Sequence, residues 1–313
     1  MNISTLKTPI LFLVFNRPDT TAKVFERIRA VRPLELFIAA DGPRSGRADD
    51  IEKCSAVKKI VAGVDWPCSV STLYREKNLG CGRAVSSAIE WFFEKNEAGI
   101  ILEDDCLPDL SFFKYTSELL EKYKNDERIG IICGANFQFG ERRGEAGYYF
   151  SRYPHIWGWA SWRRVWCGYD YNMKNWENVK NGGWLMDYFG DASRCKYWSS
   201  VFDAVREGKI NTWDYQLFLT FIVNNYMSII PAVNLISNLG YCCEATHTAG
   251  GGGALSEIKT LPLNFPLIHP EFMIRDAAAD KRTEKLFFKS HGTFELIKHN
   301  IKVSIKKMLK IKK

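Results

Sequence analysis

The sequence contains no C-x-x-C pair and no apolar run long enough to span a membrane. Its nine cysteines are scattered and odd in number, which argues against a disulfide framework or a structural zinc site and favours reduced thiols in the cytosol. A membrane-spanning helix needs roughly 18 consecutive apolar residues, and no run is that long. The first run, residues 9–15, ends at Asn16 and Arg17, so we interpret it as a strand rather than a signal peptide.

Two common phosphate-binding motifs are also missing. No G-x-G-x-x-G follows the first apolar run, and no G-x-x-x-x-G-K-[ST] occurs anywhere in the chain. A dinucleotide-binding fold of the usual kind and a P-loop nucleotidase are therefore disfavoured.

The positive charge is confined to the end of the chain. The formal net charge is +7, and nearly all of it comes from six lysines in residues 301–313: Lys302, Lys306, Lys307, Lys310, Lys312 and Lys313. The remainder is almost neutral, so we expect no broad nucleic-acid-binding face and no nucleic-acid partner.

What is present is an alternation of apolar runs of strand length with amphipathic segments of helical period. Strands are predicted at residues 9–15, 34–40, 69–74 and 99–102, and helices at 20–31, 49–64 and 84–96. This order predicts an α/β fold with a mixed, mostly parallel sheet flanked by helices. Further along, the predicted elements are a helix at 109–125, a strand at 129–133, a strand and then a helix within 148–166, mostly helix at 172–211, a helix that opens within 211–216 and runs to about 224, and a strand at 227–234.

The fourth predicted strand leads into three adjacent carboxylates in residues 99–113, GIILEDDCLPDLSFF. Glu103, Asp104 and Asp105 repel one another and lose hydration at the end of an apolar strand. In an open α/β sheet, ligands bind beyond the carboxyl ends of the strands. A hard cation takes oxygen ligands, commonly one or two carboxylates together with substrate phosphates. The stretch therefore indicates either a metal–diphosphate site or a solvated acidic turn.

After residue 261 the prolines at 262, 266 and 270 predict an extended connector. Two terminal helices are expected at 273–288 and 294–309, which form a C-terminal helical extension. We divide the chain into a catalytic domain, 1–260, with halves at 1–108 and 109–260, and an extension, 261–313. The lysine-rich last helix suggests attraction to an anionic membrane surface, so the expected location is cytoplasmic, with peripheral binding to the inner membrane face. The alternative is a partner-binding or partly disordered tail.

Three stretches together resemble the GT-A (Rossmann-like) glycosyltransferases, and in particular the N-acetylglucosaminyltransferase I-like group and its bacterial relatives. They are LEDDCLPDLSFFKY (102–115), PHIWGWASW (154–162) and WDYQLFL (213–219). The likeness spans roughly residues 9–253. It implies a metal-dependent enzyme of polysaccharide biosynthesis that moves a hexosyl or N-acetylhexosaminyl group from a nucleotide-sugar, most simply a UDP-sugar, to a glycan or lipid-linked glycan acceptor.

The resemblance also implies residue roles. Asp105 matches the acid that ligates Mn²⁺ or Mg²⁺, with His247 as a second candidate ligand, and Asp214 matches the catalytic base of an inverting transfer. Asp41 would accept from the base edge of the nucleotide, and Trp157 and Trp159 would form an acceptor wall. The implied nucleotide-sugar contacts are Phe15, Asn16, Arg17, Asp41, Asn78, Gly80, Arg83, Glu103 and Asp104.

Each role has a structural alternative. Asp214 is also a favourable residue for a helix N-terminus, Asp41 also fits an Asp-Gly turn, Arg83 also fits a solvated helix face, and the tryptophans also fit a core. At the level of function, the alternatives are a retaining transferase, a non-catalytic carbohydrate-binding or scaffold protein, and a nucleotidyltransferase. The last would need a glycine- and arginine-rich loop after the first strand, where this chain has NRPD.

The expected chemistry follows from the residue types. A cation that bridges both phosphates neutralises the charge of the leaving nucleoside diphosphate, and one carboxylate removes the proton of the acceptor hydroxyl. The four glycines at 250–253 predict a loop that closes over the bound donor.

Overall fold

A computed structural model describes residues 5–241 and 258–288. The strands are β1 (Ile10–Val14), β2 (Glu35–Ala40), β3 (Ser69–Tyr74), β4 (Ala98–Glu103), β5 (Cys106–Pro108), β6 (Ile129–Cys133), β7 (Tyr148–Ser151), β8 (Trp159–Trp162), β9 (Met227–Pro231) and β10 (Ile236–Asn238). Eight of them form the central sheet in the order β3-β2-β1-β4-β8-β6-β9-β7, and β5 and β10 form a separate two-stranded sheet. The expected α/β class with a mostly parallel sheet is confirmed.

Helices connect and cover these strands. They are α1 (Pro18–Val31), α2 (Ala48–Val61), α3 (Gly80–Lys95), α4 (Ser111–Lys122), α5 (Arg163–Trp166), α6 (Trp176–Asn181), α7 (Trp184–Phe189), α8 (Ala192–Arg206), α9 (Asp214–Asn224) and α10 (Ala277–Phe287). α1 packs on α2, α3 packs on β1, and α4 packs on β4, β6 and β8.

The first four strands form one parallel block because the crossover helices α1, α2 and α3 connect each strand to the next. β1 lies between β2 and β4 and runs parallel to both, and all five of its residues are buried. A strand with neighbours on both sides and helices on its faces is buried all round, which explains its uninterrupted apolar sequence. β8 then enters antiparallel between β4 and β6.

Two parts of this fold differ from the sequence-based prediction. Residues 148–166 form two strands before the short α5. Gly158, just before β8, has φ +57°, and a Cβ there would lie 2.5 Å from the Ile236 side chain, so the position requires glycine. β5 follows the acidic stretch and pairs antiparallel with β10. This pairing joins segments about 130 residues apart in the sequence, so no local sequence pattern predicts it.

The C-terminal part folds back on the sheet. Asp276 accepts hydrogen bonds from the backbone of Ala278 and Ala279 at the start of α10, and this helix lies within the predicted segment 273–288. The second predicted helix, 294–309, and its lysines lie outside the described residues. No helix among those described combines the length and hydropathy needed to cross a bilayer.

Candidate functional site

The carboxyl ends of β1, β2 and β4 lie side by side. Val14 is paired with Ala40 and Leu13 with Glu103. The residues that follow each strand therefore reach the same edge of the sheet, which is where open α/β sheets bind ligands. They include most of the donor-binding positions expected from the sequence: Phe15, Asn16, Arg17, Asp41, Glu103, Asp104 and Asp105.

The three acids form a cluster that includes one guanidinium. Arg17 Nη1 lies 2.7 Å from Asp105 Oδ2 and 3.4 Å from Asp104 Oδ1, and the backbone N–H of Phe15 donates to Asp104 Oδ2 at 3.2 Å. Burial and the charge of Asp105 raise the pKa of Glu103 and of Asp104, while Arg17 opposes both shifts. One guanidinium facing three carboxylates leaves a site that favours additional positive charge.

Asp105 is held from a second direction by the chain near β10. Its backbone carbonyl accepts from Leu239 N at 2.8 Å, and a Cβ placed on Gly240 would come within 2.4 Å of Asp105 Oδ2. Only a residue without a side chain allows this close approach to the carboxylate. Gly240 therefore leaves room for the Asp105 carboxylate in its present position.

These acids suit a divalent cation by their chemistry but do not form a complete cage. Carboxylate oxygens are the ligands that Mg²⁺ and Mn²⁺ prefer, and such ions commonly take their remaining ligands from phosphates and water. Within residues 5–241 and 258–288, no three His, Cys, Asp or Glu side chains are placed to hold one ion together. His247, the other predicted ligand, lies outside the described residues, so Asp104 and Asp105 are the side chains that would hold a cation.

Asp41 has a structural role that differs from the predicted one. Oδ1 accepts from the backbone of Gly42 and Leu79 at 2.9 and 3.0 Å, and Oδ2 accepts from Asn78 Nδ2 and Gly80 N at 2.8 and 3.2 Å. Burial raises the pKa of Asp41, and these N–H groups oppose the shift. Four donors occupy both oxygens of this carboxylate, so Asp41 anchors the 78–80 turn. Its predicted role toward a base edge stays a prediction.

A second ion pair lies at this edge and was not predicted from the sequence. Asp50 is fully buried and binds Arg44 through both carboxylate oxygens, at 2.6 and 2.8 Å. Asn16 Nδ2 donates to the same Asp50 at 2.7 Å, and the Arg44 guanidinium lies over the Phe15 ring. These bonds lower the pKa of Asp50 to about 2. The only sequence signal was an arginine in the loop after β2, a few residues before an acidic helix start.

The starts of α3 and α9 are joined at this edge. Gly82 N donates to Asn211 Oδ1 at 2.9 Å, and Thr212 Oγ1 donates to Asp214 Oδ1. The charge of Asp214 contributes to the raised pKa of Glu103, after burial and the two neighbouring aspartates. The proposed base is therefore within electrostatic reach of the acid cluster. Its catalytic role stays a prediction.

Three further predicted nucleotide contacts are Arg83, Asn78 and Gly80. Arg83 lies over the Tyr171 ring at 3.9 Å and donates to Asn172 Oδ1 at 3.2 Å, so its guanidinium is engaged with the 171–172 segment. The roles of Asn78 and Gly80 toward a nucleotide stay predictions.

The two tryptophans expected to form an acceptor wall differ in burial. Trp159 is 1% exposed and stacks on Trp213 with ring centroids 5.7 Å apart. Its assignment to the acceptor wall is wrong, because β8 turns this side chain into the core. Trp157 is half-buried and contacts Phe137 edge-on, so it stays a candidate.

No protein-family model and no curated protein matches the chain. Among solved structures, UDP-glucose pyrophosphorylase complexed with UDP-glucose aligns with 72% of this chain and 90% of its own, at 11% identity and a TM-score of 0.36. The inositol-1-phosphate CTP transferase from T. maritima aligns with 73% and 86%, at 9% identity and 0.35. HddC from Yersinia pseudotuberculosis aligns with 50% and 78%, at 8% and 0.31. Similarity this low carries no argument about function.

Proposed function

We propose that the chain is a metal-dependent glycosyltransferase that uses a nucleotide-sugar, most simply a UDP-sugar, and a glycan or lipid-linked glycan acceptor. The observation that carries the proposal is the cluster of Glu103, Asp104 and Asp105 at the carboxyl end of β4. A buried group of like charges costs stability, and a divalent cation with a diphosphate offsets that cost. Among the described residues, Arg17 is the cation that pairs with the cluster, and a guanidinium is suited to phosphate oxygens as well as to carboxylates.

Each residue has a defined task in this proposal. Asp104 and Asp105 hold the cation, which when bound neutralises charge on the departing diphosphate. Arg17 keeps the two carboxylates in place and donates to phosphate oxygens. Asp214, at the first position of α9, accepts the proton of the acceptor hydroxyl, and direct displacement by that hydroxyl inverts the anomeric centre.

Calorimetry tests the donor site. UDP titrated into the protein should bind with Mn²⁺ present and lose most of its affinity without it. Asp105→Ala should abolish the metal-dependent part, whereas Asp109→Ala, which removes a nearby acid that caps α4 through Ser111, should retain it. Equal UDP affinity in all these conditions would contradict the metal–diphosphate assignment.

The reaction class is tested separately. A screen of UDP-, GDP- and TDP-sugars, scored by slow donor hydrolysis without acceptor, should reveal one preferred donor. Asp214→Asn should keep UDP binding and lose transfer to acceptor. Release of pyrophosphate from a nucleoside triphosphate and a sugar phosphate would instead identify a nucleotidyltransferase.

A further inference from the structure

A cavity of about 430 Å³ lies on the outer side of α3. One wall is a row on that helix in which Arg83, Ser87, Glu90 and Glu94 follow one another at three- and four-residue steps, which places them on one face. The other wall is residues 163–171, comprising α5 and the segment after it. The volume falls in the range of small-ligand sites, about 300–1,000 Å³.

The cavity combines an aromatic floor with a polar rim. Phe93, Trp166 and Tyr169 line its base; Phe93 and Trp166 are only 2% and 7% exposed, and Tyr169 is half-buried and stacks on Trp166 at 4.2 Å with 8° between the planes. On the rim, Glu90 and Glu94 are exposed. Neither carboxylate has a hydrogen bond or ion pair to any residue that the structure describes.

The rim carries both signs of charge, which bears on the class of ligand. Arg83 and Arg163 are accompanied there by Glu90, Glu94 and Asp170, so the lining selects neither a simple anion nor a simple cation. A sugar ring matches such a lining, because its hydroxyls both donate and accept while its C–H groups can pack on the half-buried rings of Tyr169 and Tyr171.

One end of the cavity adjoins the candidate active site. Tyr171, on the rim, places its hydroxyl 2.6 Å from where a Cβ on Gly82 would lie, and Thr212 O lies 2.7 Å from the same point. Thr212 in turn binds Asp214. A molecule that extends from the cavity past this end therefore approaches the proposed base.

We propose that this cavity binds a neutral saccharide unit of the acceptor, at a distance from the hydroxyl that reacts. The assignment to the acceptor rests on the proposed glycosyltransferase function, whereas saccharide binding by the cavity does not. An acceptor longer than a monosaccharide is therefore the preferred substrate class.

The test uses saturation-transfer NMR and calorimetry on the full chain with cellobiose, maltose, lactose and chitobiose. At least one disaccharide should bind, and Glu90→Ala combined with Glu94→Ala should weaken its affinity about tenfold or more, because each carboxylate accepts from sugar hydroxyls. Glu90 is an exposed position on α3, so Glu90→Trp should be tolerated by the fold, and its indole ring should fill the cavity and prevent binding. Glu52→Gln, an exposed acid on α2, is the matched control and should bind as the wild type does.

Three outcomes would overturn the cavity proposal. They are absence of binding by all four disaccharides, equal affinity in the cavity variants and the wild type, and a preference for glucosamine over N-acetylglucosamine that weakens as salt rises. The last would mark a cationic ligand. Asp214→Asn should retain disaccharide binding although it transfers no sugar. Cavity-dependent binding by a wild-type protein that transfers sugar from none of the donors would refute the enzyme assignment and leave the saccharide site in place.

Discussion

Asp41 offers a sharp test of whether the strand ends are organised as described. In Asp41→Asn, Oδ1 can still accept from Gly42 N and Leu79 N, whereas an amide N–H₂ replaces Oδ2 and faces Asn78 Nδ2 at 2.8 Å and Gly80 N at 3.2 Å. Leu79 N also lies 3.2 Å from Oδ2 but keeps its bond to Oδ1. The site is only 8% exposed. Two donor–donor oppositions therefore replace two hydrogen bonds where water has little access.

The magnitude follows from two opposing effects. A hydrogen bond to a charged group contributes about 1.5–3 kcal/mol, so the two lost bonds cost about 3–6 kcal/mol. Removing a buried carboxylate relieves a desolvation cost, the same cost that raises the pKa of Asp41. We expect a net loss of about 2 kcal/mol in the free energy of unfolding.

Urea unfolding at pH 7, followed by circular dichroism, measures this loss. Asp49→Asn is the control, because Asp49 is more than half exposed and forms only a surface pair with Lys53 at 3.5 Å. The control should change the free energy of unfolding by less than about 1 kcal/mol. If Asp41→Asn were as stable as the wild type and changed the relative affinity for UDP and CDP, the anchoring role would be refuted and the base-edge role would be supported.

Three further predictions concern stability and the acceptor side. Burial raises the pKa of Asp280 from its ordinary 3.8 to about 6, and the Ser151 hydroxyl and Arg152 oppose this shift. Arg275 also lies 3.5 Å from the carboxylate. The stability this group contributes is therefore complete below pH 4, and about 3 kcal/mol of it is lost as pH rises through 6. Asp280→Asn should make the melting temperature less dependent on pH between pH 4 and 7. The same pH dependence in the variant and the wild type would contradict the raised pKa of Asp280. Gly82→Ala places a Cβ 2.6–2.7 Å from Tyr171, Asn211 and Thr212, so it should cost about 1–3 kcal/mol and slow transfer, whereas Gly168→Ala, with its nearest atom at 3.5 Å, should not. Trp159→Ala should lower the free energy of unfolding by about 3–5 kcal/mol, while Trp157→Ala should retain most stability and raise the acceptor KM; equal stability losses would place both rings in the core.

Several features could be predicted because they depend on neighbours in sequence. Strand β1 was recognisable because a strand covered on both faces is apolar at every position, and α3 was recognisable because its buried face repeats every three or four residues. The acidic stretch was placed correctly at a strand end by the same local signals. The joining of the β1, β2 and β4 ends at one edge followed from the alternation of strands and helices, since that alternation predicts parallel strands.

Other features depend on which distant segments meet, and no local pattern encodes that. The antiparallel entry of β8 between β4 and β6 buries Trp159, although its neighbour Trp157 stays half-buried. The turn at residues 78–80 uses up the acceptor capacity of Asp41, which the sequence shows only as an Asp-Gly pair.

The sequence by itself determined the α/β alternation, the near-neutral body of the protein and the three acids at the end of the fourth strand. Tertiary structure decided that Arg17 pairs with two of those acids and that Arg44 pairs with Asp50. It also placed Gly82 against the segment that leads to Asp214. The physical reason is that propensity and periodicity are properties of a segment, whereas a carboxylate's counter-charge, burial and hydrogen-bond donors come from whatever chain packs against it.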